Sequence, residues 1–258
     1  MEFNALSEQL CNTTVRISTV ANNDAKSCGT GFFFQFSNDA EIYIVTNNHV
    51  ANSEVKEFTF DFKVKRGNSY QCKTVRVPAS FLRWIHHPSH DIAITPVSAI
   101  KKQISDNDDF LIVFVSESLI PSDEHLFRLS YIEDITMIGY PRWMMNPATA
   151  LPVVRRGITA TPLQQSFPYV GAAIHMDDTF LIDVASIGGS SGSPIFIFND
   201  TAYTEDGTYH IGNRTLLVGI MAATYFAPEG TAPNGVPLSI PINLGVAIHA
   251  RKLLDLRP

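Results

Sequence analysis

The chain reads as an all-β protein, two six-stranded antiparallel β-barrels in one domain with a short C-terminal helix. Three observations carry that expectation. Hydrophobic residues make up 45% and charged residues 17% of 258 positions, so a sizeable core can form without disulfide staples. Fifteen prolines punctuate the chain into short elements joined by turns. Between the turns lie runs of alternating or continuous Val, Ile, Phe, Tyr and Thr, the composition of strands rather than helices.

Taken in order, strands are expected at 14–17, 31–36, 42–45, 58–64, 74–77 and 92–97, forming a first lobe over about 10–100. An acidic and polar stretch at 101–109 and a second at 116–125 make a connection over about 101–130, with 110–115 adding a strand or packing between the lobes. The second lobe, about 131–258, is expected to use 135–140, 153–159, 180–184, 193–198, 216–222 and 245–248. The polar insertion 199–215 reads as a surface hairpin, and 249–256 as the closing helix. A double barrel of this length is commonly a single domain.

The chemistry concentrates in Gly188-Gly189-Ser190-Ser191-Gly192-Ser193-Pro194. Glycines at 189 and 192 open φ values closed to other residues, and a turn free of side chains can aim successive amides at one point. That arrangement makes Ser191 the candidate nucleophile and the N–H groups of Gly189 and Ser191 a candidate oxyanion hole. A serine hydroxyl is a weak nucleophile near neutral pH and needs a base, which in turn needs an orienting carboxylate. His49 follows the strand-like 41–45 at a loop mouth and is the candidate base. Asp91 opens the apolar run 92–94, a poor site for an unpaired charge, and is the candidate orienter.

The order His49, Asp91, Ser191 resembles the trypsin/chymotrypsin-like serine proteases, and their HtrA-like bacterial branch in particular. Further motifs extend the resemblance over nearly the whole chain: Gly29-Thr30-Gly31-Phe32-Phe33 before the histidine, Ile138-Gly139-Tyr140-Pro141, Arg156-Gly157-Ile158-Thr159-Ala160, and the closing strands Leu217-Val218-Gly219-Ile220 and Gly245-Val246-Ala247-Ile248. The resemblance implies a chymotrypsin-like double barrel and a serine endopeptidase working through an acyl-enzyme. Ser190 stands where digestive relatives carry an aspartate that pairs with a freshly cleaved N-terminus, so activation by proteolysis is not expected. Ser193 replaces a family glycine, Ala222 stands where a serine hydrogen-bonds the triad aspartate, and Val50 takes a disulfide position, leaving Cys28 without an evident partner.

By the same resemblance, Ala185 forms the base of the primary specificity pocket, Ala222, Ala223 and Thr224 one wall, and Gly245 lies on the other. With no acid at the base, the expectation is cleavage after small or medium aliphatic residues, Asp183 being the one carboxylate near enough to upset it. The alternative reading is a catalytically silent double barrel that binds peptides or scaffolds a complex.

A net charge of −6 and no long basic run argue against a nucleic-acid surface. The longest apolar run, 110–115, is too short to span a membrane, so no membrane partner is expected. Three cysteines at 11, 28 and 72 do not form a secreted disulfide framework, and 1–6 lack a basic-then-apolar leader, which makes the expected location cytoplasmic. His86, His87 and His90 beside Asp91 could suggest a metal, but the triad already uses Asp91, so no metal or cofactor is expected. His175, His210 and His249 read as surface residues. Partners are a protein or peptide substrate and, because an unswitched protease needs restraint, an activating or targeting protein.

Overall fold

The computed structural model describes residues 5–67, 69–102, 108–170, 175–231 and 237–258. Parts of two sequence expectations, the acidic and polar run at 101–109 and a loop expected at 225–241, lie outside the described residues, at 103–107 and 232–236.

The first lobe holds β1 (Thr14–Ala21), β2 (Lys26–Gln35), β3 (Tyr43–Thr46), β4 (Val55–Arg66), β5 (Ser69–Pro78), β6 (Ile85–His86), β7 (Ala93–Pro96) and β8 (Val115–Ser116). They form an eight-stranded sheet in the order β5-β4-β1-β2-β3-β7-β6, with β8 parallel to β2. Six strands closing on themselves were expected. Instead the edges find other partners: β5 receives the second lobe's Ala148 carbonyl at the Cys72 amide (2.8 Å), and the far half of β4 pairs with the connection through Leu111 N–H to Lys63 O (2.8 Å) and Lys65 N–H to Asp109 O (2.9 Å). Covering an edge with a loop meets the same need as closure, since both satisfy the free backbone groups.

The second lobe is a closed six-stranded barrel in the order β10-β13-β18-β17-β14-β9. Its strands are β9 (Asp134–Gly139), β10 (Val153–Thr159), β13 (Thr179–Asp183), β14 (Pro194–Asn199), β17 (Arg214–Thr231) and β18 (Pro237–His249). Two small pairs stand outside it, β11 (Tyr169–Val170) with β12 (His175–Met176), and β15 (Ala202–Glu205) with β16 (Thr208–Ile211). The second pair is the hairpin expected at 199–215.

Alternation along the central strands builds three apolar clusters. Phe33 and Ile44 face the first lobe's interior, whereas Phe32, Phe34, Tyr43 and Val45 face a seam shared with Ile138, Phe196, Leu217, Ile220 and Val246 of the second lobe. A strand sandwiched on both faces reads as a continuous apolar run, which is why 29–34 is buried at every residue. Fully burying a side chain such as Phe34 stabilises by about 2–3 kcal/mol, so the seam holds the lobes as one body. The second barrel's interior holds Ile135, Phe180, Ile182, Ile195, Ile197 and Val218.

The closing helix is 3-10 over Ala250–Leu256, and its buried residues, Ala250, Leu253 and Leu256, recur every third position, the period of that helix. His249 is not the surface residue expected. It is 3% exposed, its ring 4.8 Å from that of Phe180, and burial pushes its imidazole down to about 4. His210 is exposed and stacks on Tyr203, while the side chain of His175 lies outside the described ones. Among the described residues no helix is long and apolar enough to cross a membrane, and Cys11, Cys28 and Cys72 are free thiols.

Candidate active site

His49 sits in the tight turn that follows β3, where Val50 and Ala51 both donate their amides to Asn47 O (3.1 Å each). Asparagine side chains bind this turn to the loop carrying Asp91: Asn47 Nδ2 donates to Asp91 O (2.7 Å) and Asn48 Nδ2 to His90 O (2.8 Å). Within that frame both carboxylate oxygens of Asp91 reach His49, Oδ1 accepting from the backbone N–H (2.9 Å) and Oδ2 lying 2.6 Å from Nδ1. A carboxylate can only accept, so Nδ1 carries the proton and Nε2 presents its lone pair. Ala222 is buried and brings no hydroxyl to Asp91.

The turn that carries Ser191 leads into β14 at Pro194 and is anchored by the other lobe. Thr30 of β2 donates its amide to Ser191 O (2.8 Å) and its hydroxyl to Gly189 O (3.0 Å), and Thr46 Oγ1 in turn holds Thr30 O (2.8 Å). Glycine is required at 192: φ is +84°, and a Cβ there would lie 2.0 Å from Thr30 O. Ser190 N–H donates to Ile187 O, Gly192 N–H to Met221 O and Ser193 N–H to Ser190 O, at 2.8–3.1 Å. Among the described residues the amides of Gly189 and Ser191 donate to nothing. Gly188 O accepts from Arg142 N–H (2.7 Å), and across a trans peptide the Gly189 N–H then points away from Arg142. The Ser191 hydroxyl makes no hydrogen bond to His49 among the described residues.

Arg155, absent from the sequence reading, supports the turn from beneath. Its Nη1 donates to Ser190 Oγ (2.8 Å) and to Ala185 O (2.9 Å), tying together the two ends of the segment that carries Gly189. Its Nε and Nη2 are buried without partners, and burial alone pushes the guanidinium down to about 10. Arg16 and Arg214 each have a carboxylate, Asp61 at 2.7 Å and Glu133 at 2.6 Å, so Arg155 differs from both. The available signal was alternation: in β10 residues 153, 155 and 157 face inward, and an arginine on that face must serve something inside.

Of the specificity-pocket residues, Thr224 pairs with Gly245 on β18, and Ala222 is buried. The group Thr224 meets is Ser186, hydroxyl to hydroxyl at 2.8 Å, with the methionine sulfur of Met221 4.0 Å from Ser186 Oγ. Ala185 is exposed, its carbonyl held by Arg155, and Asp183 is exposed at the end of β13.

The loop before Asp91 docks on the second lobe through histidines. His87 Nε2 lies 3.3 Å from Asp255 Oδ2, and His90 Nε2 lies 3.3 Å from Asp178 Oδ2. Burial holds the His90 imidazole below its ordinary range, with the neighbouring His87 adding to the effect. His86 turns to Asn48 Oδ1 (2.9 Å), and no group of three metal-ligating side chains occurs among the described residues.

Residues 29–201, which carry His49, Asp91 and Ser191, match a family model described as a trypsin-like peptidase domain. The chain belongs to that family. This peptidase fold is shared with the protease domain of MamO from Magnetospirillum magneticum in its apo form, at TM-score 0.55 and 15% identity over 98% of this chain and 100% of that one. It is shared also with HL collagenase (TM-score 0.52, 13% identity, 96% of this chain and 92% of that one). A thermostable serine protease, AL20, from an extremophilic microorganism is similar at TM-score 0.50 and 11% identity, over 96% of this chain and 95% of that one. No curated protein matches the chain. At these identities the likeness is one of fold, and the fold is that of serine proteases.

Proposed function

We propose that this trypsin-like peptidase domain is a serine endopeptidase that hydrolyses peptide bonds through Ser191, His49 and Asp91. The observation that carries the reading is the pairing of His49 Nδ1 with Asp91 at 2.6 Å beside a turn whose Gly189 and Ser191 amides are unspent. His49 Nε2 takes the Ser191 proton as Oγ attacks the substrate carbonyl. The two amides receive the charge that develops on the carbonyl oxygen, each worth on the order of 3 kcal/mol. His49 then gives its proton to the leaving amine, and water attacks the acyl-enzyme with the same histidine as base.

Preference before the cut is for small or medium aliphatic side chains. The Thr224–Ser186 bond supports this, because a hydroxyl pair spanning the wall leaves little depth and a carboxylate-free site does not repay the desolvation of a cation. The test is labelling with a fluorophosphonate, which reports an activated serine. Labelling of the parent, lost in Ser191→Ala with the melting temperature within a few degrees, is the expected result. A parent that takes up no probe would sink the reading and leave a peptide-binding double barrel in its place.

A further inference from the structure

Beside the Gly189 turn lies a cavity of about 390 Å³, lined by Lys26, Ser27, Cys28, Arg142, Trp143 and the Gly188–Gly189 backbone. It abuts the reacting centre. A Cβ on Gly189 would lie 2.9 Å from Arg142 N and 3.0 Å from Cys28 Sγ, so the turn bearing the oxyanion amides is itself the cavity wall. In the peptidase reading, on which this inference rests, the side chain before the scissile bond lies toward Thr224. The substrate half past Ser191 is assigned to this cavity, whose lining shares the Gly189 turn but includes none of Thr224, Ser186 or Ala222.

The protein carries a net −6, yet no Asp or Glu lines the cavity. Among the described residues neither Lys26 nor Arg142 makes an ion pair, a state Arg142 shares with Arg76, Arg83, Arg155 and Arg156, whereas Arg16, Arg66, Arg128, Arg214, Arg251 and Arg257 are paired. The backbone that presents Arg142 is strained: Arg142 and Trp143 take φ of 45° and 67° in succession, a left-handed pair with no glycine. Arg142 N–H to Gly188 O (2.7 Å), Met144 N–H to Pro141 O (2.8 Å) and Arg16 Nη1 to Trp143 O (3.1 Å) hold that turn in place. Strain kept beside a reacting centre, and spent on presenting an unpaired guanidinium, points to a ligand with negative charge. Trp143, 42% exposed, supplies an apolar wall for the methylenes of such a group.

We infer that this cavity binds a carboxylate on the leaving side of the substrate, so that Asp or Glu in one of the first two positions after the scissile bond is selected by Lys26 and Arg142. Side-chain carboxylates and the free end of a short product share this chemistry, and the test separates them.

Amidated, internally quenched peptides carry Glu, Gln or Lys at the first and then the second position after the cut. The expected kcat/KM is about tenfold higher for Glu than for Gln at one of the two positions, with Lys lowest, the scale two partly solvated ion pairs can supply. The difference should shrink at about 0.5 M salt, where such pairs are screened. In the Lys26→Glu/Arg142→Glu double variant the order reverses to Lys over Glu. If that variant does not fold by its thermal transition, Lys26→Glu alone, at the exposed start of β2, should narrow the gap at least threefold. Equal rates for Glu and Lys, or an order unchanged by the charge reversal, overturn the inference. A preference confined to peptides ending in a free carboxylate would reassign the site to chain ends and overturn the side-chain form. Should the parent neither cleave nor accept the fluorophosphonate, the peptidase reading fails on its own. Fluorescence anisotropy of dye-labelled amidated peptides beginning with Glu or Lys then tests the carboxylate site alone, Glu being expected to bind about tenfold tighter.

Discussion

In the first lobe, His49 and Asp91 are fixed by short side-chain ties within one neighbourhood: two asparagines reach the backbone of residues 90 and 91, and the carboxylate spends both oxygens on one histidine. In the second lobe, Ser191 is fixed from outside its own loop, by Thr30 across the seam and by Arg155 from below, and Arg155 has no counter-charge. The first arrangement pairs Asn47 Nδ2, Asn48 Nδ2 and both Asp91 oxygens, and of these side chains leaves Asn47 Oδ1 buried without a partner. The second holds an energetic cost in place, since a buried guanidinium with idle donors destabilises unless something gains from it. Under the proposed mechanism, the half that would orient the base should fail through geometry, and the half that would shape the oxyanion turn should fail while the protein stays as stable as before.

Asp91→Asn strikes the first of these halves and should produce the largest effect. The amide is nearly the same size, but its NH2 cannot accept from His49 Nδ1–H and favours the opposite tautomer, leaving Nε2 protonated and useless as a base. In comparable triads the loss approaches ~10⁴ in kcat. Steady-state kinetics on a peptide substrate checks this, with thermal unfolding expected to change little. A loss under about tenfold would mean that Asp91 does not set the tautomer.

The second lobe should give way to acid at His249. His249, buried against Phe180, has its imidazole held near 4 by burial, with Arg251 adding to the effect. Its folded value lies below the unfolded value of about 6.5, so the unfolded chain binds the extra proton first and stability falls as pH drops from about 6.5 toward 4. The full shift corresponds to about 3 kcal/mol, and His90, also lowered by burial, acts in the same direction. Chemical denaturation at pH 7 and pH 4.5 measures it. His249→Gln should remove much of that acid slope, and an identical slope in parent and variant would place the acid sensitivity elsewhere.

These contrasts follow what neighbouring residues in the sequence announce by themselves. His49, Asp91 and Ser191 each stand in a local signature at a strand end, so a few neighbours announce them. The alternation that buries Phe32 and Phe34 on one face and Phe33 on the other is likewise a property of consecutive residues. Arg155 meets Ser190 from 35 residues away, and nothing near it in sequence announces that partner. The open edge of the first sheet depends on where Ala148 and 109–111 come to lie, again a distant fact. β17 and β18 continue beyond Thr224 into 225–241, where a loop is expected. The strands pair there with register shifts at Thr224/Phe226 and Pro228/Gly230, irregularities of the kind at which a sheet admits proline.

Arg155→Met tests the second half directly. Without Nη1 the Ser190 hydroxyl and the Ala185 carbonyl lose their common tie, and the Gly189 amide loses its fixed aim. The expected result is a kcat lowered about 10–100-fold with KM within about threefold, because one oxyanion donor is worth on the order of 10²–10³ when removed outright. The melting temperature should hold or rise, since an unpaired buried cation has gone. Ser190→Asp sharpens the point by supplying the missing carboxylate. It should raise the melting temperature when Arg155 is present and lower it in the Arg155→Met background, a coupling read from the double-mutant cycle. Additive effects in the cycle would mean that the two side chains do not interact.

Thr224→Gly reaches the same lobe at the pocket wall and should have the smallest effect. It removes the hydroxyl that meets Ser186 at 2.8 Å and the methyl beside it, opening the wall without touching the base or the oxyanion amides. Pockets discriminate weakly among apolar side chains, with one methylene worth ~1–3 kcal/mol. Cleavage after Phe or Met should therefore rise relative to Val by only about three- to tenfold, with Lys, Arg, Asp and Glu still rejected. Thr224 bonds Ser186, the neighbour of Ala185 whose carbonyl Arg155 holds, so loosening this wall should leave kcat for Val substrates almost unchanged while Arg155 remains. In an Arg155→Met background the same substitution should lower it further, because nothing else then ties that segment down. A profile and a kcat that are unchanged in both backgrounds would show that Thr224 does not line the pocket.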